Sequence, residues 1–220
     1  MKFTKDEIRR AMLLYAVTDQ MWLKDGEKLA DVVESVLGNG ATFLQIREKD
    51  LAEDAFEAEA ERLKTLCAQH GVPFVVNDSV EIALQCGADG VHVGQSDIKG
   101  RDIRAMIGPD KILGISAGTV EQAIAAEQAG ADYIGVGAVF PTSTKKDAKP
   151  METELLRRIS NSVSIPVVAI GGISAGNILK LSGSGVDGVA VVSAIFGAED
   201  PGKATAELRE LSTQMVAAHE

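Results

Sequence analysis

The sequence predicts an α/β fold in which residues 1–220 form a single (β/α)8 barrel of eight parallel strands. Eight short runs are rich in Val, Ile and Ala and mostly apolar throughout, as strands buried on both faces require. Amphipathic segments separate these runs. Three similar turns, CGADGVHVG, AGADYIGVG and SGVDGVAVV, each lead through Gly and Asp into a strand, which indicates a repeated βαβ unit. A chain of 220 residues suits one such barrel.

The elements alternate strictly along the chain. Strands are predicted at Leu13–Thr18, Ala41–Arg47, Pro73–Asn77, Gly90–Gly94, Ile112–Ser116, Tyr133–Val139, Pro166–Ile170 and Gly188–Val192. Helices are predicted at Lys28–Leu37, Ala52–His70, Val80–Cys86, Asp102–Ile107, Val120–Ala129, Glu152–Ser160, Ala175–Leu181 and Lys203–Ala218. The residues before Leu13 predict an extra N-terminal helix across the barrel bottom. An open doubly wound sheet is the alternative, but no glycine-rich fingerprint follows the first strand.

Charge and cysteine content narrow the classes of partner. The net charge of −10 argues against nucleic acid and anionic membrane surfaces as partners. The partners that we expect are small-molecule substrates. Cys67 and Cys86 form no metal-binding or redox pattern, so we expect reduced core thiols in a cytoplasmic protein. No apolar run approaches the roughly 20 residues that span a bilayer. The sequence leaves the oligomeric state open, a homo-oligomer included.

Polar residues collect where the predicted strands end, and in a barrel this end carries the active site. Nearly every strand ends in a group that can bind phosphate, bind a metal or form a hydrogen bond. These residues are Thr18, Asp19, Gln45, Arg47, Lys49, Asn77, Asp78, His92, Gln95, Asp97, Ser116, Thr142, Ser143, Thr144, Lys145, Gly171, Gly172 and Ser193. The sequence therefore predicts an active site at the C-terminal mouth of the barrel.

Two groups of charged residues in this set predict anion and metal binding. Gln45, Arg47 and Lys49 alternate along one strand and share a face, which predicts an anion clamp; a loop salt bridge is the alternative. Asp78 and Asp97 follow neighbouring strands, and two carboxylates beside a diphosphate are typical of a magnesium site. The alternatives are a helix N-cap for Asp78 and a loop acid for Asp97.

The last two strands end in a pattern that predicts a phosphate site. Gly171-Gly172 and Val192-Ser193 follow strands seven and eight, whose loops commonly bind phosphate through backbone N–H groups. Glycine lets the backbone approach an anion closely. Plain tight turns are the alternative for both.

The basic segment FPTSTKKDAKP, residues 140–150, predicts a flap over the mouth, with a solvated surface loop as the alternative. Thr142 and Thr144 alternate along it and can face a ligand together. His92 lies within a strand, where a satisfied core histidine is the commoner outcome, and we expect a minor binding role. No Ser-His-Asp or Cys-His pattern appears, which favours stabilisation of a leaving group over acyl transfer.

The sequence closely resembles the thiamine phosphate synthase family, also called thiamine-phosphate pyrophosphorylases. The most specific similarities are the VND…GVHVGQSD pair and the FPTSTKK loop. The matching segments follow one another over almost the whole chain: LYAVTD (14–19), GATFLQIREKD (40–50), PFVVNDSVEIALQCGADGVHVGQSD (73–97), GISA (114–117), ADYIGVGAVFPTSTKKDAKP (131–150), PVVAIGGI (166–173) and GVAVVSAI (188–195).

The resemblance implies a specific reaction. Such enzymes join 4-amino-2-methyl-5-hydroxymethylpyrimidine diphosphate to 4-methyl-5-(2-phosphoethyl)thiazole, giving thiamine monophosphate and diphosphate. The family reacts dissociatively: diphosphate leaves, and the thiazole nitrogen captures the pyrimidine carbocation. By the same resemblance, Asp78 and Asp97 hold Mg2+. The pyrimidine diphosphate contacts Gln45, Arg47, Lys49, Asn77, Ser116 and Lys145, of which Arg47, Lys49, Ser116 and Lys145 are the predicted catalytic residues. The thiazole phosphate contacts Thr142, Thr144, Gly172, Val192 and Ser193.

One position departs from the family pattern. Related sequences often read SAHT where this chain has Ser116-Ala117-Gly118-Thr119. Thiazole tautomerases resemble the synthases and are expected to use a histidine in this turn for proton transfer, which Gly118 cannot provide. A non-catalytic phosphate-binding barrel is the other alternative. Such a protein should lose the metal and leaving-group residues, and this chain retains both sets.

Overall fold

The computed structural model describes residues 3–48, 51–142 and 150–218. Eight parallel strands pair in chain order, and the last strand pairs with the first to close a barrel. The strands are β1 (Leu14–Val17), β2 (Phe43–Ile46), β3 (Phe74–Asn77), β4 (Gly90–Val93), β5 (Ile112–Ala117), β6 (Tyr133–Gly137), β7 (Val167–Ile170) and β8 (Gly188–Val191). The predicted (β/α)8 fold is therefore confirmed.

The helices lie between the strands and on the outside of the barrel. They are α1 (Lys5–Ala11), α2 (Leu29–Gly38), α3 (Glu53–His70), α4 (Val80–Gln85), α5 (Ile103–Ile107), α6 (Val120–Gln128), α7 (Thr153–Ser160), α8 (Ser193–Phe196) and α9 (Pro201–Ala217). Short 3-10 turns cover Gln20–Trp22 and Ile178–Leu181. None of the helices in the described part of the chain is long and apolar enough to cross a membrane.

The predicted extra N-terminal helix is present as α1. Thr4 and Glu7 form a reciprocal capping box at its first turn, which satisfies backbone N–H groups that a helix start leaves unpaired. Ile8 and Met12 are fully buried in the cluster of side chains that fills the barrel interior. This helix packs against the bottom of the barrel interior, and the described cavity opens at the opposite end.

The predicted helix at Ala175–Leu181 is wrong, because the structure has only the 3-10 turn there. Asn177 explains the difference: its side chain accepts a hydrogen bond from Ser174 N and donates one to Gly172 O, both 2.8 Å long. Such side-chain bonds offer the backbone an alternative to the helical pattern. The described segment therefore stays irregular next to the end of β7. Conversely, α8 was not predicted, since only four residues form it.

Residues along each strand alternate between the barrel interior and the helices. Leu44 and Ile46 of β2 point to the helix side, whereas Phe43 belongs to the interior cluster. The lower interior is filled by large side chains, and the upper interior is polar or bare. Small residues such as Gly135 and Gly137 line the cavity at this end. The barrel is therefore packed below and open at the mouth where the strands end.

Candidate active site

A cavity of about 600 Å³ opens at the C-terminal ends of the strands. All described residues that were predicted to bind substrate or metal line it, whereas Thr18 and Asp19 lie behind it and contact Arg47. The predicted residues that line it are Gln45, Arg47, Asn77, Asp78, His92, Asp97, Ser116, Thr142, Gly172, Val192 and Ser193. The other predicted site residues, Lys49, Ser143, Thr144 and Lys145, lie outside the described residues, as does most of the predicted flap. Residues from seven different strands or strand ends thus meet around one space.

Arg47 lies at the edge of the cavity and is held in place from two sides. Its backbone N–H donates to Thr18 Oγ1 at 3.0 Å, and its guanidinium pairs with Asp19 at 3.0 Å. Both side chains of the ion pair are mostly buried. The salt bridge that the sequence offered as an alternative therefore exists, and the same guanidinium also lines the cavity. The ion pair orients a cation that keeps further N–H groups for an anionic ligand.

Asp78 and Asp97 meet at the same wall of the cavity. Burial raises the pKa of Asp78, and the negative charge of Asp97 and a hydrogen bond with that side chain raise it further. Asp78 has a positive φ of 63°, and the N-cap of α4 is Ser79, whose hydroxyl accepts from Ile82 N at 3.1 Å. The N-cap alternative for Asp78 is therefore wrong, and its carboxylate is left for the cavity.

Asp97 does stabilise its own loop, because its Oδ2 accepts from Gly94 N at 2.8 Å. Its other oxygen lies 3.4 Å from the Ser96 hydroxyl. Both donors belong to the same short loop after β4, so the carboxylate is fixed at the cavity wall. The loop-acid alternative and a ligand-binding role are thus compatible for this residue.

The two carboxylates suit Mg2+. Within the described residues, no cluster of three or more His, Cys, Asp or Glu side chains is arranged to hold a metal. Mg2+ does not need one, since it usually takes one or two carboxylates and completes its shell with water and substrate phosphate oxygens. A divalent cation would also remove the repulsion that raises the pKa of Asp78. The donor set fits a cation shared with a phosphorylated ligand.

The opposite wall is built from the ends of β7 and β8. Gly171 and Gly172 both have positive φ, at 102° and 67°. A β-carbon on Gly172 would collide with the Pro141 carbonyl oxygen and lie 2.8 Å from that of Phe140, so only glycine fits here. Ser193 then begins α8, which has no side-chain cap. Bare backbone on this wall allows close approach of an anion.

His92 is buried between two hydroxyl groups. Its Nδ1 lies 3.0 Å from the Tyr133 hydroxyl, and its Nε2 lies 3.0 Å from Ser116 Oγ. Burial lowers the pKa of His92 to about 4, so the imidazole is neutral at pH 7. His92 is therefore a satisfied core histidine, as the sequence favoured, and it also touches the cavity floor.

Sequence reasoning missed the two tyrosines of the site. Tyr15 lines the cavity floor and hydrogen-bonds the Gln45 side chain, and its hydroxyl lies 2.8 Å from that of Tyr133. The sequence contains a usable signal. Tyr15 lies two residues before Val17, and Tyr133 lies two residues before Gly135, so each tyrosine shares a face of its strand with a residue that lines the cavity. Tyr15 and Tyr133 are the two tyrosines of the chain, and both occupy inward positions. A polar tip at a buried position needs a partner.

Comparison with known proteins agrees with this geometry. The family model described as thiamine monophosphate synthase (TMP-TENI) matches residues 14–195, from β1 into α8. The chain belongs to the thiamine monophosphate synthase family. The match includes every candidate site residue, those outside the described residues included.

Individual relatives give the same result. The chain is 47% identical to thiamine-phosphate synthase of Clostridium tetani, over 89% of this chain and 93% of the relative. It is 49% identical to that of Ruminiclostridium cellulolyticum, over 90% and 94%. Among solved structures, thiamine phosphate pyrophosphorylase from Pyrococcus furiosus superposes with a TM-score of 0.86 at 39% identity, covering 94% of this chain and 98% of that one.

Proposed function

We propose that this cavity condenses 4-amino-2-methyl-5-hydroxymethylpyrimidine diphosphate with 4-methyl-5-(2-phosphoethyl)thiazole, giving thiamine monophosphate and diphosphate. The observation that carries the proposal is that one cavity has two unlike walls. One wall has the paired carboxylates Asp78 and Asp97 beside Arg47, and the other has bare backbone at Gly172 and Ser193. Two phosphorylated substrates need two such places.

The first wall suits the substrate whose diphosphate leaves. Arg47 neutralises charge that develops on the leaving oxygens, and its fixed ion pair with Asp19 means that it need not reorganise to do so. Lys49 and Lys145, which resemble the family's lysines at this step, add two cations. Their combined charge favours departure of diphosphate and formation of the pyrimidine carbocation.

Asp78 and Asp97 would hold Mg2+ at this wall. When bound, the ion supplies positive charge that stabilises the diphosphate oxygens. Asn77 precedes Asp78 at the end of β3 and offers an amide to the same substrate. Without a cation, the two carboxylates would repel a diphosphate in a chain whose net charge is already −10.

The second wall suits the nucleophile. Backbone N–H groups near Gly172 and Ser193 bind the thiazole phosphate, and Val192 and the flap residues Thr142 and Thr144 complete the contacts. Holding both substrates across one cavity places the thiazole nitrogen against the pyrimidine carbon, which is a large part of catalysis in a reaction without a protein nucleophile.

The two walls can be tested separately by steady-state kinetics with both substrates and Mg2+. We expect Arg47→Ala to raise the KM of the pyrimidine diphosphate by about tenfold or more and to leave that of the thiazole phosphate within about twofold. Ser193→Pro removes one backbone N–H. It should raise the KM of the thiazole phosphate by about tenfold or more and leave that of the pyrimidine diphosphate within about twofold. Variants that changed both KM values equally would contradict the assignment of the walls.

A further inference from the structure

A continuous chain of hydrogen bonds crosses the barrel beneath the cavity. Gln45 Nε2 donates to the Tyr15 hydroxyl, which lies 2.8 Å from the Tyr133 hydroxyl. Tyr133 then meets His92 Nδ1, and His92 Nε2 meets Ser116 Oγ, each at 3.0 Å. The five residues belong to five different strands, and the two end residues, Gln45 and Ser116, line the cavity.

The backbone leaves room for this chain of hydrogen bonds where two glycines face it. A β-carbon on Gly114 of β5 would collide with the Tyr133 hydroxyl and lie 2.5 Å from His92 Nδ1. On Gly135 of β6 it would lie 3.2 Å from His92 Cε1. The imidazole and the phenol therefore meet where Gly114 lacks a side chain, and Gly135 gives the imidazole further room. The two glycines thus give the interior of the barrel the space that the His92 and Tyr133 rings occupy.

With the Gln45 amide as donor to Tyr15, one order of donors and acceptors satisfies the rest of the chain. Burial raises the pKa of both tyrosines, so each keeps one proton, and burial keeps His92 neutral with one N–H. Since Gln45 donates to Tyr15, the Tyr15 proton goes to Tyr133, and the Tyr133 proton goes to Nδ1 of His92. The reverse order would leave the buried Tyr15 proton without an acceptor, which is costly.

We infer that Tyr133 and His92 are positioning residues, which fix the Ser116 hydroxyl as a hydrogen-bond donor into the cavity. His92 Nε2–H donates to Ser116 Oγ, so the serine's own proton is turned away from the imidazole. Ser116 thereby offers a pre-oriented donor to an acceptor oxygen of the ligand, with no reorganisation when the ligand binds. That this ligand is the pyrimidine diphosphate rests on the proposed function.

The position of the imidazole proton can be measured without any activity assay. A His70→Gln, His219→Gln background leaves His92 as the sole histidine. In its nitrogen-15 NMR spectrum at pH 7 we expect a neutral ring protonated at Nε2. Tyr133→Phe removes the donor to Nδ1 and should give a mixture of the two tautomers. A ring protonated at Nδ1, or a tautomer that does not respond to Tyr133→Phe, would overturn the inference.

Kinetics distinguish positioning from packing. Tyr133→Phe should raise the KM of the pyrimidine diphosphate by about five- to tenfold, the worth of one hydrogen bond, and leave that of the thiazole phosphate within about twofold. Phe43→Leu is the matched control, because the Phe43 ring contacts the rings of Tyr15 and Tyr133, at 4.5 and 5.5 Å between centroids, without joining the chain. An equal rise of the pyrimidine KM in Phe43→Leu would show a packing role and overturn the inference.

A double-mutant cycle tests whether Tyr133 acts through Ser116. In a Ser116→Ala background, Tyr133→Phe should change the pyrimidine KM by less than about twofold, because the oriented donor is already gone. The same five- to tenfold loss in both backgrounds would overturn the inference. If the wild-type chain made no product at all, the proposed function would fail, and the NMR measurement would still decide the inference.

Discussion

At the scale of single residues, Asp78 and Asp97 bring two carboxylates together at the cavity. The two side chains meet at one partly buried wall, where burial and the negative charge of Asp97 raise the pKa of Asp78. The chain tolerates this arrangement although neither carboxylate has a lysine or arginine ion pair among the described residues. The cation proposed above would relieve this repulsion, because the two carboxylates would hold it and it would supply positive charge there.

The first prediction concerns Asp97. We expect Asp97→Asn to lower turnover by at least about a hundredfold, near 2.7 kcal/mol of barrier, because it removes half of the charge that holds the cation. The KM of the thiazole phosphate should barely change. Asp102→Asn is the matched control, since it removes the same charge from the N-cap of α5, where asparagine caps as well. Full activity in excess chelator, or a near wild-type Asp97→Asn enzyme, would contradict a cation-dependent mechanism.

The second prediction concerns Gly118, the position that departs from the expected family pattern. A β-carbon there would meet only Gln122 Oε1, at an ordinary 3.5 Å, and the position has no positive φ. We therefore expect Gly118→His to keep synthase turnover within about tenfold, a barrier change of roughly 1.4 kcal/mol. A loss of several orders of magnitude would show that the space or the Gly118 N–H bond to Gln122 is needed for the reaction.

At the scale of elements, the loop after β7 shows what sequence patterns can and cannot predict. The Gly171-Gly172 pair indicated a special turn, because glycine at the end of strand seven is typical of a phosphate loop. The helix expected next did not form, because Asn177 uses its side chain to fasten Gly172 O and Ser174 N. Whether a side chain caps its own loop depends on three-dimensional distances, which periodicity does not report.

The third prediction tests this loop. Gly172→Ala places a β-carbon against the Pro141 carbonyl oxygen at a positive φ, and we expect it to cost about 1–3 kcal/mol of stability and to weaken thiazole phosphate binding at least tenfold. Gly176→Ala is the control, because its β-carbon would meet only Ser174 Oγ at 3.9 Å. Denaturant unfolding and calorimetric titration of the thiazole phosphate measure both effects. Equal binding by the two variants would remove Gly172 from the phosphate site.

At the scale of the whole molecule, the alternation of strand and helix was enough to predict the barrel. Parallel strands buried on both faces left a clear apolar signature, and the polar residues at their ends then had to face one mouth. The hydrogen-bond chain under that mouth was out of reach. Tyr15 and Tyr133 are 118 positions apart, and nothing local in the sequence indicates that their hydroxyls meet. Contacts across the interior depend on barrel closure, which only the structure supplies.

The fourth prediction is a pH dependence of stability. The pKa of His92 is about 4 in the folded chain and 6.5 as a free side chain, so the unfolded state binds a proton first as pH falls. The free energy of unfolding that the neutral His92 contributes is then fully present above pH 6.5. It is lost as the pH falls from 6.5 to 4, by about 3 kcal/mol over that window. Urea unfolding at pH 7.5 and 5 should show about 2 kcal/mol of this loss in wild type and in His70→Gln. It should be smaller in His92→Gln, and an identical pH dependence in that variant would contradict a buried, neutral His92.

The most direct test of the central claim is product formation by the purified chain. With the pyrimidine diphosphate, the thiazole phosphate and Mg2+ present, chromatography should detect thiamine monophosphate and an equal amount of diphosphate. Omission of either substrate should abolish thiamine monophosphate, and excess chelator should suppress it. Diphosphate release without thiamine monophosphate, or no consumption of either substrate by a folded protein, would contradict the assignment of this cavity as the site of a thiamine phosphate synthase reaction.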